Sequence, residues 1–269
     1  MAVFYDRGQI RFVVEGQDRQ MAEYALPVSA GPLGGRFRSL AREFPSLDWF
    51  ERELFELGLE PEGHPALRPL RRHDRPYPFD RLEGMHEVPV GPVHAGIIEP
   101  GHFRFSVLGE RIFHLEIRLG YQHRGLLGLF PGKQVGAGLL LAERVSSEPV
   151  AHALAFTRAV EKALGLEAPE EAERLRLALL EMERAFGHLG HLAGLFTDIG
   201  YAHAATEVGR VRALLQGEID RLTGHRYGRG FIRLGGTADP RTPPKEVAQA
   251  LFPYRLELER LLPRFLKNP

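Results

Sequence analysis

His188 and His191 stand three residues apart in a segment with helical periodicity, with Asp198 and His203 beyond them. Two histidines at that spacing share one helix face and can ligate zinc. Twelve histidines in 269 residues make incidental pairs common, no Glu stands in a zincin arrangement, and no metal site is expected. Cysteine is absent, which excludes disulfides, thiolate nucleophiles, iron–sulfur ligation and cysteine metal sites within these residues. Gly132–Gly138 and Gly228–Gly236 are glycine-rich but match neither a phosphate loop nor a dinucleotide fingerprint. Gly132-Lys133 lacks the upstream glycine spacing and the following Ser or Thr. Gly-x-Ser-x-Gly is absent too. No catalytic residue and no cofactor is therefore assigned to this chain.

Lys+Arg 35 balances Asp+Glu 35. A neutral chain carries no electrostatic footprint for nucleic acid, and none is expected as a partner. The arginine cluster at 68–75 is read as a solvated surface or a docking strip. Hydrophobic residues at 43% and charged residues at 26% describe a folded protein. No apolar run approaches the ~20 residues of a membrane span. Met1–Arg7 has no basic region followed by an apolar core, so no secretory signal is expected and the default location is the cytoplasm.

The sequence predicts these elements. Residues 3–14 and 20–28 form a strand pair around Gly16-Gln17-Asp18. A short helix spans Leu33 to Phe44, with Phe37, Leu40 and Phe44 on one face, and a second spans Leu47–Leu57 with Ser46 as N-cap. Residues 60–92 are irregular, since their prolines block helix interiors. A module boundary falls near residue 85, giving modules of 1–85 and 86–269. A second β unit, Phe103–Val107 and Arg111–Ile117, flanks Leu108-Gly109-Glu110. The remainder is helical: Leu139–Leu164 interrupted at Ser146–Pro149, a helix opening at Ala168-Pro169, one over 203–223 and one over 244–266. Leu175, Leu179, Met182, Phe186 and Leu189 recur at three- and four-residue steps. The expected fold is α+β: a small N-terminal α/β module, a β unit, then an antiparallel helical bundle.

Several segments resemble one family. Asp48-Trp49-Phe50-Glu51-Arg52-Glu53-Leu54-Phe55-Glu56-Leu57-Gly58, with Glu62-Gly63-His64-Pro65-Ala66-Leu67-Arg68, is similar to the 30-kDa-type subunit of respiratory NADH:quinone oxidoreductase. The second module resembles the quinone-proximal large subunit, a homologue of the large subunit of membrane-bound nickel–iron hydrogenases. The matching stretches are Gly91–His94, Gly101–Arg104, Gly120–Gly125, Val160–Gly165, Gly187–Leu189, Asp198–Gly200 and Arg233–Gly236. The fused order is most similar to the formate-hydrogenlyase type.

The departures from that family bear on function. Hydrogenases carry a Cys-x-x-Cys pair after an Arg-Val here and a second pair near the C-terminus, and four soft thiolates hold nickel and iron. In this chain Arg144-Val145 is followed by Ser146-Ser147-Glu148-Pro149, and the sequence stops at Pro269, where the family would continue. The resemblance thus implies the scaffold without its nickel–iron centre, C-terminally truncated. It also implies quinone or proton-relay candidates: His94 or His102 as the loop histidine and Asp198 as its carboxylate partner. The family's tyrosine has no counterpart in Leu139–Ser147. His123 and Arg124 stand where the family lies near neighbouring subunits, and internal polar contacts are the alternative reading. His152 falls where hydrogenases also have a histidine, and His188 belongs to the family pattern. The implied partners are an iron–sulfur subunit and membrane subunits, with this chain peripheral on the cytoplasmic side of the membrane and an apolar face left on its bundle. Two alternatives stand beside this: half of a split large subunit that contributes to a quinone site with a separately encoded C-terminal half, or a standalone histidine-based metal-binding protein.

Overall fold

The structure, a computed structural model, describes residues 2–6, 9–15, 21–29, 34–68, 70, 81–93 and 100–267. The chain is α+β and divides into two compact units, one of the strands and helix up to His123 and one from Arg124 onward.

In the first unit, β1 (Ala2–Asp6), β2 (Gln9–Glu15) and β3 (Met21–Pro27) form an antiparallel sheet in that order. The single strand expected over 3–14 is instead two, with Val3 opposite Phe12 and Tyr5 opposite Ile10. Pairing the run with itself satisfies main-chain groups that one long edge would leave open. The Gly16-Gln17-Asp18 turn lies outside the described residues.

The helix expected over Leu33–Phe44 is also corrected. β4 (Gly35–Arg38) is a strand, α1 (Asp48–Glu56) follows, and β5 (Leu59–Glu62) returns parallel to β4. Period two wins locally: Phe37 is buried, whereas Phe44 is 56% exposed. Arg36 of β4 reaches Glu60 and Glu62, each at 3.2 Å. Ser46 makes no cap, because a 3-10 turn at Pro45–Leu47 leads straight into α1. Asp48 and Glu51 supply negative charge to the first turn of α1 instead. Glu51 is fully buried and accepts the Leu40 N–H (2.8 Å) and the Ser39 hydroxyl (2.6 Å).

A three-stranded antiparallel sheet completes this unit: β6 (His86–Val90), β7 (His102–Leu108) and β8 (Arg111–Arg118). Residues 60–92 are thus not wholly irregular. Pro61 and Pro89 are tolerated because β5 and β6 are edge strands, where a missing N–H costs no ladder bond. The sheet buries its polar face. Ser106 and Glu116 are 2% and 7% exposed, while Phe113, Leu115 and Ile117 are 48%, 41% and 44% exposed. Arg118 compensates Glu116 with contacts of 3.1 and 2.9 Å.

The second unit is helical: α2 (Val135–Ala142), α3 (Pro149–Leu164), α4 (Glu170–Asp198), α5 (Ala202–Thr223) and α6 (Pro244–Lys267). The break between α2 and α3 falls at the expected serines, and Pro149 opens α3. Between α5 and α6, β9 (Ile232–Arg233) pairs with β10 (Gly236–Thr237). The core unites Val150 and Ala153 with Leu179, Met182, Phe186 and Leu189, with Val208, Val211, Leu215 and Ile219, and with Phe231 and Ile232. The small hairpin is fixed from below by Arg176, which is fully buried. Its guanidinium grips both oxygens of Glu161 (3.0 and 2.7 Å), Glu173 (2.5 Å) and the carbonyls of Arg233 (2.7 Å) and Gly236 (3.1 Å).

Gly165 ends α3 in the left-handed region, at φ 65°, with no atom within 4 Å of where a Cβ would stand. Gly165→Ala therefore costs backbone strain alone, about 1 kcal/mol. A lowered urea midpoint is the expected readout, and an unchanged one contradicts the assignment.

Candidate functional site

The serines that break the helical periodicity build a polar corner between α2 and α3. Ser146 donates to Glu148 Oε2 at 2.5 Å, Ser147 donates to Glu148 Oε1 at 2.7 Å, and the Ser146 hydroxyl lies 2.9 Å from His152 Nε2. Burial works against ionising Glu148, but both hydroxyls, the neighbouring His152 and its own N–H together hold its carboxyl below the usual range. On the other side, Glu183 of α4 accepts the Val150 and Ala151 N–H groups, both at 2.8 Å. These are free amides of the first turn of α3, so a buried carboxylate closes that helix end. Burial pushes Glu183 up to about 7 against those two hydrogen bonds, and the charge of Glu148 adds to the rise. Glu143, at the end of α2, is 4% exposed and takes the Gly230 N–H at 2.6 Å.

The corner thus holds hydroxyls, carboxylates and one imidazole, already engaged with one another. Such a set can hold a proton. Hard oxygens bound to each other are poor ligands for a soft metal. Among the described residues no group of three His, Asp or Glu is placed to hold a metal ion. Sequence reasoning missed Glu183 and Glu148. The available signal for Glu183 was a carboxylate inside the apolar stripe, flanked by Met182 and Phe186.

The other candidates are placed as follows. His94 lies outside the described residues. His102 is half-buried on β7, with Nδ1 3.2 Å from the Gly91 carbonyl, in the first unit. Asp198 is exposed at the end of α4, in the second. His123 is exposed, and Arg124 donates to the Arg144 carbonyl at 2.7 Å, an internal contact. His152 belongs to the corner. His188 and His191 are exposed on α4, and His203 forms a T-shaped pair with Phe265, 5.8 Å between ring centres. His188 stands at an apolar groove of about 550 Å³ between α4, α5 and α6, whose walls include Leu175, Met182, Val211, Leu215, Val247 and Leu251. No helix of the described residues is long and apolar enough to cross a membrane.

Residues 17–82 match the family described as respiratory-chain NADH dehydrogenase, 30 Kd subunit. Over most of its length the chain is similar to formate hydrogenlyase subunit 5 of Escherichia coli (strain K12). The two are 31% identical over 270 residues, covering 87% of this chain and 47% of that protein. Hydrogenase-4 component G of the same organism is 34% identical, covering 73% and 42%. An NADH-quinone oxidoreductase subunit of Salinispora tropica is 34% identical, covering 55% and 38%. The chain thus spans less than half the length of these relatives. Among solved structures, the membrane-bound sulfane sulfur reductase, an archaeal respiratory membrane complex, contains a chain of similar fold. Its TM-score is 0.61 at 24% identity, covering 69% of this chain and 50% of that one.

Proposed function

Because this chain is a relative of the hydrogenase and NADH-quinone oxidoreductase subunits that it matches, joined to a segment of the 30 Kd type, we propose that it serves as a subunit of a membrane-associated, hydrogenase-like or NADH:quinone oxidoreductase-like electron-transfer complex, in a mainly structural role. The α2–α3 corner carries this reading. Where the hydrogenase resemblance calls for thiolates, Ser146, Ser147 and Glu148 present hydroxyl and carboxylate oxygens bonded to each other and to His152. Nickel–iron needs soft, free donors. The residues do not fit such a group, and no step is assigned to one.

The chain's contribution is then to assembly. It docks an iron–sulfur subunit and membrane subunits, as a peripheral component on the cytoplasmic side. The apolar groove on α4, α5 and α6 supports this, since exposed apolar surface of that kind marks contact sites. Metal analysis of the chain separated from its assembly is the test. No stoichiometric nickel is expected. One nickel per chain, or hydrogen turnover by the separated chain, overturns the reading.

A further inference from the structure

Many arginines on the helices of the second unit face a carboxylate: Arg158 meets Glu173 at 2.7 Å, Arg184 meets Glu181 at 2.6 Å and Arg255 meets Glu259 at 2.8 Å. The loop that follows α5 is different. Arg212 of α5 lies over the Phe186 ring, 3.9 Å from its centre, and its Nε is buried without a hydrogen-bond partner. The absence of a side chain at Gly190 makes room for it, since a Cβ there would stand 3.1 Å from that Nε. One turn further along α5, Gln216 accepts from Arg226 at 3.2 Å. Tyr227 packs edge-on against Phe186, 5.8 Å between ring centres, and carries Arg229 at 6.0 Å from its own ring centre. Among the described residues, no carboxylate pairs with Arg212, Arg226 or Arg229.

Such a cluster is costly as it stands. A half-buried guanidinium with an orphan N–H beside a second positive charge lacks both its hydrogen bond and its counter-charge. Its surroundings agree: burial pulls Arg212 below the ordinary arginine value, Tyr227 opposes this, and the charge of Arg226 adds to it. The arginine fork matches the planar geometry of carboxylate and phosphate oxygens, and stacking on Phe186 holds the fork of Arg212 in one plane. His225, at the start of the same loop, accepts the Tyr227 N–H at Nδ1 (3.1 Å).

We infer that Arg212, Arg226 and Arg229, gathered around Tyr227, form a binding site for the oxyanion group of a small molecule, a phosphate or a carboxylate. The site lies on α5 and the loop that follows it, and the same loop reaches the α2–α3 corner through the Gly230 N–H that Glu143 accepts. It does not depend on the proposed role in an electron-transfer complex.

Calorimetric titration of the full chain with inorganic phosphate, and separately with succinate, in a chloride buffer tests it. One saturable site is expected for at least one anion, weakening as salt rises. Arg212→Met and Arg226→Gln should each weaken it at least tenfold. Arg212→Met should unfold no more easily than the parent, because it removes an uncompensated charge and keeps the stack on Phe186. Saturation by phosphate alone assigns a phosphate ligand, and saturation by succinate assigns a carboxylate. No saturable heat from either anion, or full affinity in both variants, overturns the site.

Discussion

Arg176→Ala lowers the unfolding free energy by about 3–5 kcal/mol, because it strands a buried carboxylate rather than merely deleting a contact. Arg176 is fully buried, and its donors are spent on Glu161, Glu173 and the carbonyls of Arg233 and Gly236. Its hydrogen bonds hold Glu161 below the usual carboxylate range against the burial of that group, with the Gly235 N–H helping. Without Arg176, Glu161 keeps, among the described residues, the Gly235 N–H at 2.7 Å and the more distant charge of Arg158, and the β9–β10 hairpin loses two of its ties to α4. Equilibrium urea unfolding reads the loss. The double variant Arg176→Met, Glu161→Leu should recover most of it, since removing both charges removes the desolvation cost. A loss below about 1 kcal/mol in the single variant would place the network among ordinary surface pairs.

Glu183 makes the stability of this protein fall as pH rises through the range 4.5 to 7. Its folded value, about 7, lies above the ordinary 4.5. Between those values the folded chain holds a proton that the unfolded chain has released, and raising the pH favours the unfolded chain. The contribution of Glu183 is therefore fully present below pH 4.5 and lost as pH rises through about 7. Two and a half pKa steps bound the effect, and partial solvent access reduces it to about 2 kcal/mol. Glu87, Glu148, Glu161 and Glu173 are shifted the other way, so their contributions fade on the acid side of this window. Glu183→Gln isolates the effect. It keeps one acceptor for α3, cannot ionise, and starts below the parent because one amide loses its oxygen. The gap between parent and variant in urea unfolding should narrow by about 2 kcal/mol from pH 4.5 to pH 8. A gap constant across that range would show Glu183 ionised throughout.

The long helices were legible because burial imposes a period that sequence records directly. Leu175, Leu179, Met182, Phe186 and Leu189 all join one core, and Gly165 and Gly224 mark helix ends as their backbone freedom requires. The β7–β8 hairpin was legible in its alternation, but not in which face is buried. Partners set that choice, and Glu116 goes inward because Arg118 lies beside it. The parallel pair β4–β5 was illegible because four-residue strands acquire identity only from each other, across the intervening helix. The α2–α3 corner was half visible. The serines and His152 were in plain view, while Glu183 sat inside an apolar stripe, where a charge makes sense only once its partners from distant segments are known. His102 and Asp198, linked by resemblance, fall in different units.

Affinity purification of the tagged chain from detergent-solubilised membranes of its own host, with the stoichiometry of co-eluting polypeptides measured, bears most directly on the proposed role. Elution in fixed ratio with an iron–sulfur subunit and with membrane-spanning subunits is the result the assembly role predicts. Recovery of the chain from the soluble fraction as a lone, monodisperse monomer would contradict it.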